Sequence, residues 1–174
     1  FEGNTVKEML LNAYYHARLE KGRIEIDREP LAPLLITISE ADYVAFPYQP
    51  AMLTVDGELN DLPVQLESTS SGFFARGTDK PVILSLLGTI GDNSFDAEGR
   101  INRHEDSQES FRLSSTVSGT RMDTLNDILG LNLPPLGPFE IGGSLASRAE
   151  KSVGLYDMGV RIGDSSLRGG MILT

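Results

Sequence analysis

Leu53-Thr54-Val55-Asp56-Gly57-Glu58-Leu59, Phe95-Asp96-Ala97-Glu98-Gly99-Arg100-Ile101 and Phe139-Glu140-Ile141-Gly142-Gly143-Ser144-Leu145 share one pattern. Apolar residues stand at positions 1, 3 and 7 of each stretch, and glycine at position 5. Side chains of a strand point alternately to opposite faces, so each glycine lies on the same face as its apolar neighbours. The expected result is one shared apolar face, lined by Leu53, Val55, Leu59, Phe95, Ala97, Ile101, Phe139, Ile141 and Leu145. Asp56, Glu58, Asp96, Glu98 and Glu140 fall on the opposite, wet face, because burying an unpaired carboxylate is costly. Gly57, Gly99 and Gly143 become notches in the apolar surface, where a bulge forms or something bulky crosses. Positions 57, 99 and 143 are about 43 residues apart, a spacing typical of repeat arrays, with units beginning near 52, 94 and 138.

The same alternation spreads outward from these stretches. Further strands are expected at Leu34–Ser39, Met52–Leu59, Val64–Ser70, Val82–Leu87, Phe95–Ile101, Phe111–Val117, Phe139–Leu145, Val153–Ile162 and Ser166–Leu173. Asn60-Asp61, Gly91-Asp92-Asn93 and Gly163-Asp164-Ser165 supply turns between them. Leu11, Ala13, Tyr15, Ala17 and Leu19 alternate too. A turn at Glu20-Lys21-Gly22 would fold them back on Arg23–Ile26 as a hairpin. Val6, Met9, Leu10, Ala13 and Ala17 also fit helical spacing, and the strand reading is preferred from residue 11 onward. One short helix is expected from Arg121 to Leu129, with Asp123 capping its start and Gly130 stopping it. Pro134-Pro135 and Gly137-Pro138 then prevent regular structure until Phe139. The fold class is therefore mainly β: an antiparallel, twisted or curled sheet of hairpins with one short helix near 121–130.

A sheet with one apolar face must bury it against another layer. One short helix cannot cover ten or so strands. The sheet either folds on itself as a sandwich, the commoner outcome, or curls into a groove filled by other apolar material.

Composition narrows the function. The 174 residues are 40% apolar, which gives enough material for a folded domain. Twenty-five acids against fifteen bases leave a formal charge of −10, which repels nucleic acid and anionic head groups. There is no cysteine, hence no disulfide, zinc–thiolate site or thiol nucleophile. The longest apolar run, Val82–Ile90, is far short of the roughly 20 residues of a membrane helix. Phe1-Glu2-Gly3-Asn4 at the start and a strand-like end at Gly170–Thr174 read as a segment of a longer protein.

Catalytic and metal chemistry finds little footing. His16 and His104 are distant in sequence, and both read as solvated surface. Gly163-Asp164-Ser165 with Leu167 matches the Gly-Asp-Ser-Leu start of an esterase family. No histidine follows that serine, so a Ser–His relay in that family's order cannot be built. Asp92, Ser94, Asp96 and Glu98 alternate oxygen ligands, but the sharp-turn glycine of a calcium loop is replaced by Ala97. The expectation is no catalytic residue, no metal and no cofactor.

The stretch from Leu131-Asn132-Leu133-Pro134-Pro135-Leu136-Gly137-Pro138-Phe139, through Gly143-Ser144-Leu145, to Leu155–Gly169 resembles the AsmA family of Gram-negative envelope proteins. In that family a short helix and an "lP-x-x-gPf" turn precede a strand, a linker and a "G-x-S-x-L-x-G" hairpin. Residues 50–67 and 81–99 resemble the segment that precedes it, so the likeness covers about 50–173, and weakly 11–30. It implies a fragment of a larger periplasmic β domain, in a protein held in the inner membrane by one N-terminal anchor. It also implies a part in outer-membrane biogenesis, by shielding or carrying phospholipid in an apolar groove, with other envelope proteins as partners. Membrane contact would then be made only by parts outside this sequence. A closed β-module that binds a protein or glycan is the alternative.

Overall fold

The computed structural model describes residues 14–28, 31–46, 49–71, 81–102, 109–148 and 152–173. Ten strands form one antiparallel sheet, and each pairs with its neighbours in sequence. They are β1 (Tyr15–Arg28), β2 (Leu31–Ala45), β3 (Ala51–Leu59), β4 (Leu62–Ser71), β5 (Val82–Ile90), β6 (Asn93–Ile101), β7 (Phe111–Gly119), β8 (Phe139–Arg148), β9 (Ser152–Ile162) and β10 (Ser165–Leu173). The sandwich expected as the commoner outcome is absent. One continuous meander holds all ten strands, and among the described residues no second sheet packs on it.

Short turns fix the register. Leu59 pairs with Leu62, Ile90 with Asn93 and Ile162 with Ser165, leaving two-residue connections at 60–61, 91–92 and 163–164. Asn60 and Asp61 both have positive φ, as a mirror-image hairpin turn requires. Asn93 and Ser165, expected in turns, are instead the first residues of β6 and β10.

The hairpin expected at Glu20-Lys21-Gly22 does not form, because β1 runs straight through it to pair with β2. Lys21 takes φ 62°, and it lies between the pairs Glu20–Glu40 and Gly22–Ile38, level with Ser39. Against β3 the register slips between Ile38 and Glu40, so Ser39 is an extra residue. Apolar parity changes at this level in both strands, from Leu19 to Gly22 and from Ile38 to Ala41. A shared bulge thus keeps one face apolar where a turn was expected. A second bulge lies at Asp157, φ 52°, where β9 slips against both β8 and β10. The helical reading of Val6–Ala13 lies outside the described residues; Tyr15 to Leu19 is strand.

Between β7 and β8 the chain leaves the sheet. A 3₁₀ turn, Met122–Leu125, runs into α1, Asn126–Leu129. Gly130, at φ 65°, ends α1 and donates its N–H to the Asn126 carbonyl, as expected of a left-handed C-cap. Asp123 does not cap the start; it accepts hydrogen bonds from the Arg121 guanidinium, which holds its carboxyl below the ordinary range. Met122 and Leu125 bury themselves on Phe139, with Val117, Ile128, Leu133, Ile141 and Ile162 around them.

The three glycine strands are β3, β6 and β8. Two strands separate the first pair and one the second, and β3 runs opposite to β6 and β8. The near-equal spacing therefore marks no constant unit of the sheet.

The glycines differ in what they permit. A Cβ on Gly57 would strike the Thr37 carbonyl beside the Ser39 bulge, and one on Gly143 would strike the Met158 sulfur. A Cβ on Gly99 would find only ordinary contact with Leu84, so that notch is not required. Gly88 and Gly119, which the pattern does not single out, lie beneath the rings of Phe95 and Phe139. Aromatic rings over cross-strand glycines stabilise such pairs. Gly119→Ala is expected to lower stability by about 1–3 kcal/mol through overpacking against Phe139 and Asn93. Gly159→Ala, with nothing within 4 Å of the new methyl, is expected to unfold at or above the wild-type urea midpoint.

Candidate functional site: an open apolar sheet face

Register carries the apolar side chains across the sheet in rows. One row runs Leu19, Ala41, Val55, Leu66, Gly88, Phe95, Val117, Ile141, Val160, Leu167, each paired with the next. Three of the expected residues, Val55, Phe95 and Ile141, fall in it. A parallel row holds Ala17, Tyr43, Leu53, Ser68, Leu86, Ala97, Ser115 and Gly143. From β6 to β8 its members are small, and larger residues flank them: Phe95, Val117 and Ile141 on one side, Leu113 and Leu145 on the other. Leu59 lies nearer the 60–61 turn, paired with Leu62, and Ile101 at the far end, paired with Val82 and Phe111. All nine expected residues thus share a face. Asp56, Glu58, Asp96, Glu98 and Glu140 project from the other and are exposed.

The face is not uniform. Phe139 is 3% exposed and Ile141 packs beside it, both under the 122–129 helical segment. Leu53, Val55, Leu59, Phe95, Ala97 and Leu145 are half-buried, and Ile101 is 54% exposed. Leu19, Ile24, Leu84, Leu113, Leu167 and Met171 add further exposed apolar area in the same rows. The accessible surface of the chain is 12356 Å². A compact monomer of this mass scales to roughly 8,300 Å². The excess is what a single unlayered sheet produces.

The opposite face is held by polar cross-strand pairs. Arg161 donates to Glu140 at 2.7 Å, and Arg18 meets Glu40 at 2.9 Å. Ser94 bonds Ser118, and Ser114 bonds Ser144, hydroxyl to hydroxyl. The Arg112 guanidinium lies over the Tyr156 ring, which itself covers Gly154. An open recess of about 650 Å³ on this face is lined by residues including Glu98, Ser114, Thr116, Ser144, Arg161 and Arg168.

Candidate chemistry does not assemble. Ser165 opens β10, while His16 is on β1 at the opposite edge of the strand order, 2.9 Å from Asp42 Oδ1. His104 lies outside the described residues. Ser94, Asp96 and Glu98 extend along the wet side of β6. Among the described residues no three His, Asp or Glu side chains gather as metal ligands would. No helix among the described residues is long and apolar enough to cross a membrane. No family model, curated protein or solved structure matches the chain.

Proposed function

We propose that this chain acts without catalysis, as a stretch of apolar trough that shields or carries the acyl chains of phospholipid. The carrying observation is an apolar face that runs across ten strands and that, among the described residues, is covered at one end alone. The AsmA resemblance supplies the setting: a periplasmic segment of an inner-membrane-anchored protein that serves outer-membrane biogenesis beside other envelope proteins.

The energetics suit transport. Removing an acyl chain from water gains about 0.8 kcal/mol per CH₂ buried. Moving it from a bilayer gains little, because it leaves one apolar phase for another. Such a face holds a lipid against water and still releases it to a membrane.

Mass spectrometry of the purified protein is expected to find co-purifying phospholipid, and a photoreactive acyl probe should label the Val55–Phe95 row. Absence of lipid together with no labelling would overturn the reading. Ser165→Ala is expected to leave any esterase activity of a preparation unchanged. A specific loss with folding intact would require a catalytic role for that turn. The glycan-binding alternative draws on the hydroxyl-lined recess of the wet face. Saturable binding of a soluble glycan, abolished by Ser144→Leu, would favour it instead.

A further inference from the structure

We propose that the exposed leucines of the connection between β7 and β8 dock this end of the sheet on a zwitterionic lipid bilayer. This places a membrane contact within the chain, where the family resemblance puts such contacts outside it. The docking stands independently of the acyl-chain reading, although it would bring the end of the apolar face to a membrane.

From Ile128 to Phe139 the chain carries no charge. The apolar residues of this stretch divide into two sets. Ile128, Leu133 and Phe139 pack with Met122 and Leu125 in the buried cluster. Leu129, Leu131 and Leu136 stay 45%, 54% and 49% exposed. The inner set fills the space over the sheet and leaves the outer three in water.

The segment is firmly held in this form. Asn126 Oδ1 accepts from Leu133 N–H at 2.7 Å, and its Nδ2 donates to the Leu133 carbonyl at 3.2 Å. Asn60 Nδ2 donates to the Asp127 carbonyl at 2.9 Å, and Gly163 N–H to the Pro138 carbonyl at 2.8 Å. A surface ordered in advance loses little conformational freedom on binding.

Two observations favour a bilayer over a protein partner. The first is the backbone. Pro134, Pro135 and Pro138 have no N–H, and those of Gly130, Leu133 and Leu136 are bonded within the segment. Unpaired backbone groups are what keep irregular chain out of lipid, so this loop enters the boundary between head groups and acyl chains at low cost. The second is area. Three half-exposed leucines offer about one and a half side chains of surface, far below the roughly 1,000 Å² that a stable protein interface needs. Shallow, reversible membrane binding has no such threshold and scales with whatever apolar area is inserted.

Charge selects the lipid. The two-residue turns at the same end of the sheet carry Asp61, Asp92 and Asp164, while Arg121 is engaged by Asp123. Those carboxylates repel anionic head groups and suit the ammonium of a zwitterionic one.

The chain has no cysteine, so a single Leu131→Cys substitution can carry an environment-sensitive dye. With phosphatidylcholine vesicles its emission is expected to shift to the blue, and a nitroxide on the lipid head group should quench it. The same dye at Asp56→Cys, on the wet face of β3, should not respond. Phosphatidylglycerol vesicles should bind more weakly. Replacing Leu129 and Leu136 by serine in the labelled protein is expected to weaken vesicle binding roughly tenfold or more, with an unchanged urea midpoint. Leu167→Ser, on the open sheet face, should leave vesicle binding as it was. No response at position 131, or an equal response at 56, would overturn the docking. So would a shift that grows with protein concentration without vesicles, which would mean that a second copy covers the leucines. A response from protein that carries no phospholipid supports the docking and counts against the acyl-chain reading alone.

Discussion

Phe139→Ala is expected to lower the free energy of unfolding by about 3–5 kcal/mol, the usual range for removing a buried phenylalanine ring. Phe139 is 3% exposed and lies at the centre of the one cluster of large buried side chains among the described residues. Its ring supports Met122 and Leu125 above it and fills the space over Gly119 beside it. Removal therefore opens a cavity that the sheet backbone cannot close and unseats the 122–129 helical segment. Leu167→Ala, at a side chain 73% exposed, should change stability by less than about 0.5 kcal/mol. Urea unfolding of the two variants checks the contrast. Equal effects would mean that the sheet has no localised core.

Much of the sheet was readable because period-2 alternation is a local property. Nine expected strands coincide with β2 to β10, most within a few residues. The parity of Val55, Phe95 and Ile141 was enough to expect them on one face; that they fall in one row needed the pairing register. The first hairpin failed for a reason that no local pattern carries. Glu20-Lys21-Gly22 has turn chemistry, but it became a bulge because Ser39 on β2 offered a matching extra residue. That partner is known only once β1 and β2 are paired.

The glycine spacing has no counterpart in the strand count. Equal spacing of glycines counts residues, whereas a sheet counts strands, and the segments between the glycine strands contain different numbers of them. Gly88 and Gly119 escaped notice because their role depends on a ring from the neighbouring strand. The connection between β7 and β8 was legible only as a short helix. That Asn60 reaches it could not be read, since the bond joins residues 67 apart through a fold in which β4 to β7 lie between them in sequence. Asn60 did carry one signal: it was expected in a turn, and turn asparagines have a side chain free to bond elsewhere.

The division of the apolar face into covered and open parts gives the prediction that bears most directly on function. Val55→Asp is expected to leave the protein folded and to abolish labelling by a photoreactive acyl chain. Val55 is half-buried at the centre of an open row, between Ala41 and Leu66, with no second layer over it among the described residues. A carboxylate there keeps contact with water, so its folding cost stays modest, yet it puts a charge where acyl chains would lie. Ile141→Asp is expected to behave differently, although it sits in the same row. It packs against the Met122–Leu125–Phe139 cluster, so its carboxylate has neither water nor partner, and several kcal/mol of stability should be lost. Thermal melts with acyl-probe labelling of both variants separate the cases. If Val55→Asp also unfolds the protein, the face at β3 is a closed core in solution. If both fold and both still label, acyl chains do not lie along this row, and the trough reading fails.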